Sequence, residues 1–215
     1  MALQRLWRTS GSSVSWRQQK VSVIRALVHI ACALPAILLF TGWQYSYLGV
    51  DPEKTLIWET GIWGFNLILV VLLLPVAAKW ANWPELRQYR RAVGLWAFFY
   101  ATAHFFFFVI FLLGWNIGNL PKELSERPYI TFGFGAWCVL FAMAITSNHY
   151  AVKHLKRAWK KLHILVYVAA TLAAIHYILM VRSDYGWAST YALIVLLLCG
   201  TRLLRSKKTY RWLKR

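Results

Sequence analysis

Acidic residues are scarce in this chain: seven Asp and Glu stand against 25 Lys and Arg in 215 residues. Charge altogether makes up 15% of the sequence, where a soluble domain carries about one quarter. The shortfall is concentrated in long apolar runs, which excludes an ordinary soluble domain and places the chain among integral membrane proteins. No Asp or Glu lies deep in any run, which leaves a cofactor-free, proton-coupled transporter without acidic partners for its histidines. There are only three cysteines, Cys32, Cys138 and Cys199. They lie far apart inside apolar runs, so there is no C-x-x-C-H for covalent haem and no thiol pairing for zinc or a disulfide scaffold. All three read as buried small hydrophobes. A Gly-rich nucleotide fingerprint is also missing, so no flavin or nicotinamide domain is built into the chain.

What is abundant is hydrophobic residues, 59% of the sequence, with 13 Trp. The runs fall at about 21–40 (interrupted by Pro35, an expected kink), 57–78, 92–114, 129–146, 162–181 and 188–204. Each approaches the roughly 20 apolar residues that cross a bilayer. The expected fold is an all-α integral membrane protein, a bundle of six transmembrane helices over 21–204. Basic tails at 1–20 and 205–215 flank it. No internal repeat is evident, and no loop is long enough for a soluble domain.

The formal charge of +18 could suggest nucleic acid, but its distribution follows topology instead. The N-terminus, the connections at 79–91 and 147–161, and the C-terminus together hold 21 of the 25 basic residues. The opposite side holds Lys54, Lys122, Arg127 and Arg182 with six of the seven acids. By the positive-inside rule both termini are cytoplasmic, in a multi-pass membrane protein. No nucleic-acid partner is needed to explain the charge; membrane lipid is.

Ionisable groups at membrane depth are functional suspects, and imidazole is the commonest protein ligand for a metal or haem iron. His149 and His154 fall in a basic cytoplasmic segment and read as solvated. His29, in the first run, suits a hydrogen bond or a polar ligand contact better than a metal bond. His104 in the third run and His176 in the fifth lie each about 20 Å from their helices' cytoplasmic ends. The two helices run the same way, so the imidazoles reach a common depth, as two axial ligands of one haem must. Ala97 and Ala101 precede His104 on one helical face, and Ala169 and Ala173 precede His176 in the same way. Small side chains there leave room for a flat macrocycle or for close helix packing. His163 lies 13 residues before His176, at the cytoplasmic mouth, too far along the axis to share that haem. The residues at its depth on the third helix are Arg90 and Arg91. Arginine is no axial ligand, but it pairs with propionates, a flavin phosphate or a quinone oxygen, or simply marks the interface.

Several stretches together resemble a known family. They are Arg90-Arg91-x-x-Gly94-Leu95-Trp96 running into His104; Arg127-Pro128-Tyr129-Ile130-Thr131-x-Gly133; Trp159-x-x-Leu162-His163-x-x-x-Tyr167; and Ile175-His176-Tyr177, with Asp51-Pro52 in the first outer loop. In collinear order over about 20–205 they resemble the MsrQ (YedZ) family, the haem-binding membrane subunits of bacterial periplasmic methionine-sulfoxide reductase systems. The resemblance implies a ferric-reductase-like transmembrane domain with b-type haem, one or two per chain, and FMN. It carries haem ligation to His104, His176 and His163. It also implies electron transfer from the quinone pool, or from a cytoplasmic flavin reductase, to MsrP, a periplasmic molybdopterin methionine-sulfoxide reductase. The chain would then be an electron-transfer subunit for repair of oxidised envelope proteins, not the catalytic subunit. Related two-haem reductases place two histidines on each of two helices; here the fourth position falls at Arg90 or Arg91. A stand-alone transmembrane ferric or quinone reductase is the alternative.

Overall fold

The computed structural model describes the backbone of residues 16–212 and the side chains of residues 21–202. The expected tails at 1–20 and 205–215 lie outside the described side chains. Among the described residues every regular element is helical. Helices α1 (Trp16–Gln44), α2 (Pro52–Trp80), α3 (Arg90–Phe107), α4 (Leu120–Glu126), α5 (Pro128–Ile145), α6 (His149–Ile164), α7 (Val166–Met180) and α8 (Tyr185–Trp212) follow in order. Their starts obey local chemistry. Pro52 and Pro128 open α2 and α5, where the missing N–H costs no hydrogen bond. Asp51 caps α2 by accepting the Lys54 N–H at 3.0 Å, and Asn148 caps α6 by accepting the Ala151 N–H at 2.7 Å.

Five stretches are long and apolar enough to cross a membrane: Val21–Gln44, Pro52–Trp80, Pro84–Leu112, Pro128–Ile145 and Arg157–Met180. The sixth apolar run of the sequence falls on α8. Helix faces turned away from the bundle are apolar, as at Phe40 (64% exposed) and Leu196 (69%), which suits lipid and not water. Cys138 belongs to such a face. It is exposed, so only Cys32 is buried as expected; Cys199 is half-buried. The helical period turns position 138 outward.

Two antiparallel helix pairs, α2 with α3 and α5 with α7, form the centre, and the pairs pack on each other through α3–α5 and α2–α7. Helix α1 leans on α3, and α8 on α7 and α2. Small side chains permit the close approach: Ala97, Ala169 and Ala170 are at most 1% exposed. At Gly64 a Cβ atom would come within 3.3 Å of the Ala101 backbone nitrogen.

The two pairs repeat each other at an offset of 72 residues, a relation that the sequence reading missed. The contacts made by Ile57, Gly61 and His104 recur at Tyr129, Gly133 and His176. Ala97 and Ala101 correspond likewise to Ala169 and Ala173, and Arg91 corresponds to His163.

Other expectations need correction. The basic connection at 147–161 is not a loop: it is most of α6, with a kink at Lys156 (φ 45°). The fifth run is not one straight helix either. It breaks at Leu165, so His163 ends α6 while His176 lies in α7. The connection 115–128 contains α4, tied to α5 by the Arg127–Glu123 ion pair at 3.2 Å. Just beyond His104 the helix widens into a π-helical turn, Phe108–Leu112.

The expected kink at Pro35 has a partner on α3. The Tyr100 hydroxyl accepts the Ala36 N–H at 2.9 Å and donates to the Cys32 carbonyl at 2.8 Å. It sits between a donor and an acceptor that an unbroken helix would join directly. One turn earlier, Trp96 Nε1 donates to His29 Nδ1 at 2.9 Å. These bonds fix α1 against α3 and give His29 the structural hydrogen bond expected for it.

Candidate haem site and inner cavity

His104 and His176 meet as the sequence predicted. Their ring centres are 6.0 Å apart with planes at 81°. His104 Nδ1 lies 2.8 Å from the Ile57 carbonyl, and His176 Nδ1 lies 2.6 Å from the Tyr129 carbonyl. A carbonyl only accepts, so each Nδ1 carries the proton and donates it. In a neutral ring the lone pair is then on Nε2. Among the described residues neither Nε2 has a hydrogen-bond partner. Two imidazoles bonded through Nε2 to one metal, at about 2 Å each, bring their ring centres to roughly 6 Å, close to the separation found.

No group of three or more His, Cys, Asp or Glu that could hold a bare metal ion occurs among the described residues. Two imidazoles are too few for a metal held by protein ligands alone, which usually needs three or four. They are the right number for an iron whose other four ligands come from a macrocycle. The residues present therefore fit haem. Around the pair, Trp58 packs edge-on against Tyr177, and Tyr129 lies 6.1 Å from the His176 ring.

His163 is placed differently. Its ring stacks on Trp159 at 3.9 Å, its Nδ1 lies 3.1 Å from the Trp159 carbonyl, and its Nε2 lies 3.3 Å from Ser147 Oγ. Among the described residues it makes no ring contact or hydrogen bond with another histidine, although His149 lines the same cavity. It lines a cavity of about 730 Å³ that also takes in Arg87, Arg90, Arg91, Lys160 and Arg202. No Asp or Glu is among the described lining residues. Among the described residues, Arg90 Nε is buried without a hydrogen-bond partner, as is the neighbouring Tyr89 hydroxyl. Five cations with no lining acid form a wall suited to an anion, and a volume of this size suits a cofactor. Ala97, one of the small residues preceding His104, lies in the same lining.

His149 and His154 are exposed, with His154 Nδ1 bound to the Tyr150 carbonyl at 2.8 Å, but His149, expected to be simply solvated, also lines the cavity. The sequence alone does not single out Gly61, and it shows Gly133 only within a motif, with no role attached. A Cβ atom on Gly61 would stand 2.9 Å from His104 Nδ1, and one on Gly133 would stand 2.8 Å from His176 Nδ1. A signal for both exists: each glycine is the fourth residue after the accepting carbonyl, and each histidine follows its carbonyl by 47 positions.

Comparison with known proteins agrees with the geometry. The family model for the ferric reductase like transmembrane component matches residues 60–174. The chain is 36% identical over 195 residues to the protein-methionine-sulfoxide reductase heme-binding subunit MsrQ of Pectobacterium atrosepticum, covering 90% of this chain and 96% of the relative. It is 37% identical over 199 residues to the subunit of the same name from Yersinia pestis strain Pestoides F, covering 90% and 97%.

Proposed function

Since the chain belongs to the MsrQ family of haem-binding subunits, within the ferric-reductase-like transmembrane components, we propose that it holds b-type haem between His104 and His176. It is the haem-binding membrane subunit of a protein-methionine-sulfoxide reductase. Its role is electron transfer across the membrane to MsrP, the periplasmic reductase, in support of repair of oxidised envelope proteins. The observation that carries the site is the facing of two imidazoles at 6.0 Å, each with its proton committed to a backbone carbonyl.

Bound haem supplies one-electron chemistry. The chain supplies the two Nε2 ligands, fixes their tautomer, and surrounds them with apolar side chains that exclude water. The donor side is the inner cavity. Its cations and the unpartnered Arg90 Nε suit the phosphate of FMN, and the same wall suits a quinone oxygen or a cytoplasmic flavin reductase that delivers electrons from outside the membrane. His163 lies at this donor side, where it ligates a second haem or faces the donor directly. The topology is six spans, α8 being the sixth, with both termini in the cytoplasm of a bacterial inner membrane. The outer connections then face MsrP.

The test is an absorption spectrum of the purified protein, oxidised and dithionite-reduced. The expected result is a haem Soret band that shifts on reduction and is lost from His104→Ala and His176→Ala. A band unaffected by both substitutions, or no band, overturns the site. Membranes holding the parent protein should also let a reduced donor drive methionine-sulfoxide reduction by added MsrP. Reduction of soluble ferric iron or quinone alone, with no turnover of MsrP, would favour the stand-alone reductase.

A further inference from the structure

An imidazole that donates to a helical carbonyl meets a steric problem. In a helix, the carbonyl of residue i already accepts the N–H of residue i+4, whose side chain sits close beside that bond. A ring arriving as a second donor needs that space. At both halves of the repeat the fourth residue is a glycine: Gly61 beyond Ile57, and Gly133 beyond Tyr129. An added Cβ would meet His104 Nδ1 at 2.9 Å and Cε1 at 3.0 Å in one half. In the other it would meet His176 Nδ1 at 2.8 Å and Cε1 at 3.0 Å. Gly135, two residues along the same helix, has no such role: a Cβ there would reach Leu172 Cδ1 at an ordinary 3.6 Å.

We propose that Gly61 and Gly133 are positioning residues for the haem ligands, each opening a helical carbonyl so that it can accept the Nδ1–H of the facing histidine. The inference rests on the His104–His176 haem reading. The hydrogen bond fixes which nitrogen faces the iron and makes it more basic, as partners behind metal-bound histidines generally do. A more basic ligand favours the ferric form, so the two glycines hold the midpoint potential down. The two sides use the same device, a backbone carbonyl that cannot rotate away, although the Ile57 carbonyl also accepts from the Thr60 hydroxyl at 3.1 Å and Phe132 offers no counterpart in the other half.

The experiment compares Gly61→Ala, Gly133→Ala and Gly135→Ala as full-length holoproteins. In the first two, the methyl pushes the ring off its carbonyl. Haem affinity should then fall on the order of 10-fold, the midpoint potential of the retained haem should rise, and part of it should turn high-spin. Gly135→Ala should match the parent in all three. Two results would overturn the proposal: a parental potential and spin state in both variants, or loss of haem with the remainder at the parental potential. Should neither variant accumulate, redox difference infrared spectra of the unmodified protein with 15N-labelled histidine decide the matter. Ring modes of an Nδ1–H bound to a carbonyl are expected, and modes of an unbound Nδ1–H would refute it. Failure of the haem reading is seen separately, as a Soret band that survives in His104→Ala and His176→Ala, and it removes the inference as well.

Discussion

Arg91 stands in the first turn of α3 and His163 in the last turn of α6, each 13 residues before the histidine of the central pair. The repeat is thus equal at the two central histidines and unequal at the cavity, whose lining holds both Arg91 and His163. On the proposed reading, an arginine at this position suits an anion where a histidine would suit a metal. Arg90 beside it, whose buried Nε has no partner among the described residues, strengthens the same preference.

Removing that charge should weaken flavin binding at the inner cavity. For Arg90→Gln and Arg91→Gln, loss of a charge-assisted hydrogen bond worth about 1.5–3 kcal/mol should lower FMN affinity by roughly 10- to 100-fold. The outer haem spectrum should stay as in the parent. FMN titration followed by fluorescence quenching measures this, and unchanged affinity in both variants would remove the arginines from the donor site.

His163→Ala separates the two ends of the molecule. His163 lies on the far side of the break at Leu165 and contacts Trp159 and Ser147. Its loss should leave the haem held by His104 and His176 with its low-spin band, while slowing haem reduction by a cytoplasmic flavin reductase. Stopped-flow reduction and a static spectrum on the same sample measure both effects. Loss of the whole Soret band would contradict the assignment of ligands.

Much of this was legible in the sequence because membrane spans are written in composition. Apolar length gave the helices, and their basic ends gave an expected topology. The pairing of His104 with His176 was legible from their common depth together with the matching alanine faces that precede them. The glycines behind them were not, because their partners are backbone carbonyls, which leave no mark in residue type. The repeat was hidden for a similar reason: its halves share a few His, Gly and Ala positions amid unlike apolar residues. The break at Leu165 has neither proline nor glycine to announce it. The charge of segment 147–161 suggests a connection, although the Asn148 cap and the apolar Ala151, Val152 and Leu155 permit the amphipathic helix found.

Tyr100 should matter to the attachment of α1 and little to the haem. Its hydroxyl bridges Ala36 N–H and the Cys32 carbonyl, and Tyr100→Phe removes both bonds at once. The two freed backbone groups can join each other as in an ordinary helix, so the net cost should stay near 1–2 kcal/mol. Thermal unfolding in detergent should show this loss beside a parental haem spectrum. Equal stability of parent and variant would mean that the bridge contributes nothing.

The last expectation concerns α8 and the membrane. If α8 crosses, residues at its two ends face opposite compartments, and every even-numbered connection shares the side of the termini. Single cysteines at Lys122, Lys153, Asp184 and Lys208, in a protein without its own three, report this directly. Lys122 and Lys153 are exposed on connections expected outside and inside, and Asp184 precedes α8. An impermeant maleimide applied to intact spheroplasts should label the cysteines at 122 and 184, and those at 153 and 208 only after lysis. Labelling of 208 before lysis would show that α8 turns back without crossing. The C-terminal basic residues would then lie outside, where the positive-inside rule does not place them, and the reading of the inner cavity as the donor side would lose one of its supports, since Arg202 of α8 forms part of its cationic wall.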